Sequence, residues 1–145
     1  MKKAIIHIVI FTLLFAFSSC GTPVSEYEAK NQAEQELKAL LIEFLDYRNK
    51  HDVDGLLSLF RSDAEVMQGH GEDRYYATKT QARETWPEVL ELYPKAKFTD
   101  PEMEVTDNQA VVRFDITTNG FRLKGTQHLV KENGKWLITK FTYED

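Results

Sequence analysis

Two side chains near the end of the chain offer the sharpest chemistry. Asn133-Gly134 is a two-residue hairpin signal, and pairing outward from it sets Gln127 opposite Lys140, on the face that carries Phe114, Leu129 and Ile138. An amide beside an ammonium in an apolar concavity suits a ligand with a carboxylate or another anionic head, because a buried cation needs a partner. The alternative is that Lys140 lies near a rim and reaches water, or pairs with Glu144 or a helix carboxylate, leaving Gln127 a core amide. Phe44, Tyr47, Trp86 and Met103 would line the same concavity, although aromatics at helical spacing also serve as plain core. Gly125 either leaves room for a ligand or marks a bend in a strand.

Other chemistries find less support. His51, His70 and His128 are scattered, and no HExxH or tight histidine and carboxylate cluster points to a metal. His70-Gly71-Glu72-Asp73 reads as a solvated loop. No GxSxG, Walker-type or GxGxxG pattern occurs, so covalent and nucleotide chemistry lack a motif and no cofactor is implied. Cys20 is the only cysteine, which removes disulfides, cysteine-based zinc sites and a cysteine nucleophile from a mature domain that spends it elsewhere.

That other use is read from the first residues. Lys2 and Lys3 precede an uncharged, mostly apolar run from Ala4 to Phe17. The run is shorter than the roughly 20 apolar residues that span a bilayer, and it has the layout of a secretory signal over residues 1–19. Phe17-Ser18-Ser19-Cys20-Gly21 resembles the bacterial lipobox, with Phe17 in place of the usual leucine. The resemblance implies cleavage before Cys20 and lipidation on it, hence attachment to the cell envelope. An ordinary secreted protein with an incidental cysteine is the alternative. Gly21 is not the aspartate that resembles an inner-membrane retention signal, which favours the outer membrane in a Gram-negative cell.

Loss of the two signal lysines takes the net charge from -5 to -7. That acidity argues against nucleic acid and against electrostatic binding to anionic lipid, so the lipid on Cys20 would make the membrane contact. The remaining length suits one domain with one core. Residues 20–34 are expected to form a lipidated cysteine, a short tether through Val24 and a polar helix start, and residues 35–145 the domain.

The elements that must position the candidate residues read as α+β. Ser25 with Glu28 is a capping-box signature, and Ala33, Leu37, Leu40, Leu41, Phe44 and Tyr47 follow at helical spacing, predicting one long first helix. Asp52 would cap a short second helix. A strand over Ala64 to Gln68 would end at Gly69-His70-Gly71. Tyr75 and Tyr76 would lie in a short segment beyond it, and Thr78 with Gln81 makes a second capping box, for a third helix that Pro87 would kink or restart and Pro94 would end. The rest reads as strand, with hairpin turns at Asn119-Gly120, Asn133-Gly134 and Asp107-Asn108. These registers set Val105 against Ala110, Met103 against Val112, Ile116 against Leu123 and Leu129 against Ile138, all on one apolar face. They put Glu102 against Arg113 and Asp115 against Lys124 on the other, where opposite charges across strands attract. That outer face would also carry Val111, Thr126, His128, Val130, Leu137, Phe141 and Tyr143, covered in part by a loop or by a second copy in a homodimer.

Three helices ahead of a meandering sheet, with "EFLDYRNKHDVDGLLSLFRSDAEV", "TWPEVLELYPKAKF" and "NGKWLITKF" in order, resemble the NTF2-like superfamily in its SnoaL-like and ketosteroid-isomerase-like branches. The resemblance implies a cone of curved, mainly antiparallel sheet and helices enclosing an apolar pocket, used for catalysis in some members and for binding alone in others. Aligning "FRSDAEVMQ" and "TQHLVKENG" with the isomerase segments puts Phe44, Gln68 and Gln127 at the places of its tyrosine, general base and proton donor. Phe44 lacks a hydroxyl, and an amide does not abstract a proton near neutral pH.

Three functions are consistent with this reading. The favoured one is a non-catalytic envelope lipoprotein whose cone binds a small amphiphile, anionic or not, or a partner segment through Phe44, Tyr47, Gln68, Trp86, Gln127 and Lys140. The second is a SnoaL-like isomerase, cyclase or dehydratase using Asp46 or His70 as base. The third is an interaction protein acting through the outer sheet face, its pocket filled by its own side chains.

Overall fold

The computed structural model describes residues 21–69 and 71–145; the expected signal segment, Cys20 and His70 lie outside them. Among the described residues no helix is long and apolar enough to cross a membrane. Helices α1 (Gln32–Asn49), α2 (Val53–Ser58) and α3 (Lys79–Leu92) pack against one face of a six-stranded curved sheet. Its strands are β1 (Phe60–Gln68), β2 (Tyr75–Ala77), β3 (Ala96–Thr106), β4 (Gln109–Thr118), β5 (Phe121–Glu132) and β6 (Lys135–Glu144), in the order β2-β1-β6-β5-β4-β3. Only β1 and β6 run parallel; every other neighbouring pair is antiparallel.

Turn chemistry sets the registers. Asn119 and Gly120 have φ of 45° and 81°, and Asn133 and Gly134 of 50° and 76°, the left-handed pairs a two-residue hairpin needs. The pairs Val105–Ala110, Met103–Val112, Ile116–Leu123 and Leu129–Ile138 form as expected, as do Glu102–Arg113 and Asp115–Lys124. On the outer face the Asp115 carboxylate accepts from Lys124 at 2.7 Å and from Arg122, and those hydrogen bonds hold it below the usual carboxylate range.

The register breaks once in β6, and the break re-aims the end of the strand. Beyond Leu129–Ile138 the next pair is His128–Lys140, which leaves Thr139 as an extra residue. Gln127 therefore pairs with Phe141, not Lys140. A one-residue bulge reverses which face each later side chain takes. Phe141 and Tyr143, expected outside, turn inward, and Lys140, expected inside, turns outward. A similar irregularity in β3 between Thr99 and Glu102 houses Pro101, where no ladder hydrogen bond is forfeited.

The caps explain the helix starts. Asp52 Oδ1 accepts from the Gly55 N–H at 2.8 Å, and Thr78 and Gln81 form both halves of a capping box. Helix α3 continues through Pro87 and stops at Leu92, just ahead of Pro94. Helix α1 does not begin at Ser25. Val24–Glu26 is a short 3₁₀ turn with Val24 buried, and Asn31 is the cap, accepting from the Glu34 N–H at 2.9 Å. Ser25 loses to Asn31 because burying Val24 and gathering the Tyr27 hydroxyl and the Lys30 N–H onto the Glu34 carboxylate bend the chain before the helix. Burial, with that carboxylate, pushes the Tyr27 hydroxyl up to about 12, and the Lys30 N–H, with Tyr27, holds Glu34 low.

Removing the cap in use tests this assignment. Asn31→Ala is expected to cost about 1 kcal/mol in urea denaturation, whereas Ser25→Ala stays within about 0.5 kcal/mol of the parent.

Candidate functional site

The concave face of the sheet is a field of rings. Phe44 from α1 stands 5.4 Å from Phe141, 5.9 Å from Phe98 and 6.0 Å from Phe60 between ring centres. Trp86 from α3 meets Phe60 edge-on at 5.8 Å, and Phe114 lies 4.6 Å from Phe98. Phe44 and Trp86 are thus brought together across the core through Phe60. The space beside Gly125 is taken by the Phe114 ring and Ile116, whose atoms a Cβ at Gly125 would approach to 2.9 Å.

Two amides interrupt this apolar surface. One apolar row runs Val66–Phe141–Gln127–Val112–Met103 across five strands, with Gln127 at its centre and 0% exposed. Neither Nε2 nor Oε1 of Gln127 has a hydrogen-bond partner among the described residues. Gln68, at the end of β1, is 6% exposed and half satisfied. Its Oε1 accepts from the Tyr75 hydroxyl at 3.0 Å and the Thr85 hydroxyl at 2.8 Å, while its Nε2 has no partner among the described residues. Buried polar groups are nearly always paired, and leaving one unpaired costs about 1–3 kcal/mol, so these two positions call for a complement.

The remaining candidates lie elsewhere. Tyr47 is half-buried on the flank of α1, its ring close over Gly55 of α2 and its hydroxyl donating to Glu43 at 3.1 Å. Lys140 is on the outer face, 3.7 Å from Glu65 and 4.4 Å from the centre of the Tyr76 ring, so Gln127 has no ammonium beside it. Asp46 is exposed and ion-paired with Lys50 at 2.7 Å on the surface of α1. No group of three or more histidine, cysteine or acidic side chains able to hold a metal occurs among the described residues.

The residues at the cone's end are less visible in the sequence. Tyr143, turned inward by the bulge, donates to the Gly69 carbonyl at 2.5 Å, stands over Arg74, and has its phenol pushed up by burial. Tyr75 and Thr85 are the hydroxyls that fix Gln68. A signal for Tyr143 was present in the alternation: Trp136 and Ile138 share one parity and Phe141 and Tyr143 the other, so large apolar residues change face between 138 and 141. Two shallow concavities of about 310 and 480 Å³ lie outside the cone, one along α1 beside Lys38 and Ile42, the other beside Thr22, Tyr27 and Asp100.

Replacing Gln127 with an apolar side chain of similar size removes an unpaired amide without breaking a hydrogen bond. Gln127→Leu is expected to raise the unfolding free energy by about 1 kcal/mol or more in urea titrations, and a loss of stability would show that the amide is paired in solution.

A profile of the SnoaL-like domain family matches residues 41–138. No curated protein matches the sequence significantly. Among solved structures, an NTF2-like protein of unknown function from Shewanella baltica superposes with a TM-score of 0.69 at 19% identity, covering 81% of this chain and 97% of the other. Another from Pseudomonas putida gives 0.65 at 11% identity, covering 77% and 85%. A provisionally assigned ketosteroid isomerase from Shewanella frigidimarina gives 0.63 at 13% identity, covering 74% and 93%. These similarities speak for the fold alone. With the profile spanning more than half of the sequence, the chain belongs to the SnoaL-like domain family.

Proposed function

We propose that the chain is an envelope lipoprotein, anchored through Cys20, whose cone binds a small, largely apolar and uncharged ligand without chemically changing it. The observation that carries the binding half is Gln127, fully buried with both its donor and its acceptor unpaired. A ligand head presenting an acceptor and a donor side by side, as a primary amide, lactam or protonated carboxylic acid does, would complete both. Gln68 offers only N–H donors, because its oxygen is already occupied by two hydroxyls.

Charge favours a neutral head over an anionic one. With Lys140 outside, nothing beside Gln127 compensates a carboxylate, and moving an unpaired anion into an apolar interior is far costlier than moving an amide. Described groups that could act as a base are likewise absent from the row around Gln127, and Asp46 is engaged on the outer surface of α1. Phe44 stands 5.9 Å from Phe98 and 5.4 Å from Phe141 between ring centres, so a ligand reaching Gln127 would part these rings, and pairing the amides offsets part of that cost.

The outer sheet face supports a second reading, a homodimer. Val111, Val130 and Leu137 are half-buried there although all three helices pack on the opposite face. The inward turn of Phe141 and Tyr143 makes this patch smaller than the sequence suggested.

Native mass spectrometry of residues 21–145 isolated from the originating host is expected to find a co-purifying neutral small molecule, lost in Gln127→Leu. An empty monomer in both would overturn the binding reading, and an empty dimer would favour the outer face. The anchor is tested separately: labelled palmitate should enter the full-length chain and not its Cys20→Ser variant, and equal labelling of the two would remove the lipoprotein assignment.

A further inference from the structure

The segment expected to be a short tether is built into the domain. Pro23 bridges Thr99 on the free edge of β3. The Thr22 N–H donates to Asp100 Oδ1 at 2.8 Å, and the Asp100 N–H returns a bond to the Thr22 carbonyl at 2.8 Å. Val24 is buried in the core, and Lys38 Nζ donates to the Tyr27 carbonyl at 2.8 Å, holding the chain on its way to α1. Asp100 has a φ of 52°, at the irregular point of β3, and this backbone turn presents its N–H and carboxylate to Thr22 together. A Cβ on Gly21 would overlap Asp100 Oδ2 and come within 2.8 Å of Thr99 Oγ1, so any larger residue here would have to displace the Asp100 carboxylate that accepts from Thr22.

We propose that this strap fixes how the domain sits on the lipid surface, with the β3 edge toward the bilayer; the inference rests on the anchor reading above and deepens it. One peptide bond separates Cys20 from Gly21, about 3.8 Å between Cα atoms, so the acyl chains leave the protein at Asp100 and not from the end of a free linker. The opposite edge, β2, is five strand spacings away, about 24 Å. Glu26, Glu28 and Glu102 flank the strap, so the covalent lipid, and not attraction of charge, holds that edge at the surface.

Lipid on Cys20 leaves any introduced cysteine as the one free thiol for a fluorophore, which makes the orientation measurable in the full-length lipoprotein. Glu102→Cys places a dye beside the strap and Arg83→Cys one on α3; both positions are exposed. In phosphatidylcholine vesicles containing a headgroup-quencher lipid, the dye at 102 should be quenched about threefold more strongly than the dye at 83, because α3 packs on β1 and β2, at the end of the sheet away from β3. Asp100→Ala or Gly21→Val, introduced with unchanged circular dichroism, should abolish that asymmetry. Equal quenching in the vesicle-bound parent overturns the fixed orientation while leaving the anchor standing, and asymmetry that survives both variants overturns the role of the strap. A parent that stays off the vesicles overturns the anchor and the orientation with it.

Discussion

The extra residue in β6 decides which chemistry faces the interior of this protein. Strand side chains alternate with a period of two, so one inserted residue exchanges the faces of everything after it. Here the Thr139 hydroxyl donates to the His128 carbonyl at 3.1 Å, giving the bulge a bond of its own where the ladder is interrupted. Phe141 thereby joins Phe44 in the core, Tyr143 closes on Gly69, and Lys140 finds Glu65 and Tyr76 outside. Were the strand regular, an ammonium would sit among five rings with no carboxylate to meet it, and the aromatic pair would face water.

The row around Gln127 carries no charge as a result, and the polar groups on the concave face beside it are amides and hydroxyls. An amide tolerates burial far better than a charge, and a half-paired one, such as Gln68 beneath Tyr75 and Thr85, tolerates it better still. Gln127 is the exception, because it lies mid-row with Phe141 on one side and Val112 on the other and reaches no donor or acceptor among the described residues. At the three places where the resemblance implies a phenol and two carboxyl groups the sequence carries Phe44, Gln68 and Gln127, side chains that can orient a ligand but do not transfer a proton near neutral pH.

Much of this architecture was legible in the sequence because short-range turn chemistry fixed it. Asn-Gly at 119–120 and 133–134 demands left-handed backbone, and the registers that follow propagated correctly for as long as each strand stayed regular. The placement of Gln127 on the concave face was readable for the same reason. The pairing of Gln127 with Lys140 was not, since a hairpin turn fixes only the pairs between itself and the first bulge. The face change between Ile138 and Phe141 is written in the apolar alternation, but it competes with a simpler reading in which Phe141 and Tyr143 belong to an outer patch. The start of α1 was misjudged for a different reason: Ser25 and Asn31 are both competent caps, and what selects Asn31 is the burial of Val24 against strands far away in sequence.

That selection also ties the two ends of the molecule's problem together. If the helix began at Ser25, Val24 would stand at its exposed tip and residues 21–23 would hang free. Because the chain instead crosses the edge of β3 before turning into α1, it covers backbone groups around Thr99 and Asp100 that an exposed edge strand would otherwise leave open to pairing with another chain. The strap is thus explained by edge protection even before any lipid is considered. A lipid on the adjacent residue would convert the same contact from a cover into a hinge-free mount, in which burial of Val24, the pair of bonds to Asp100 and the absence of a side chain at Gly21 act in one direction.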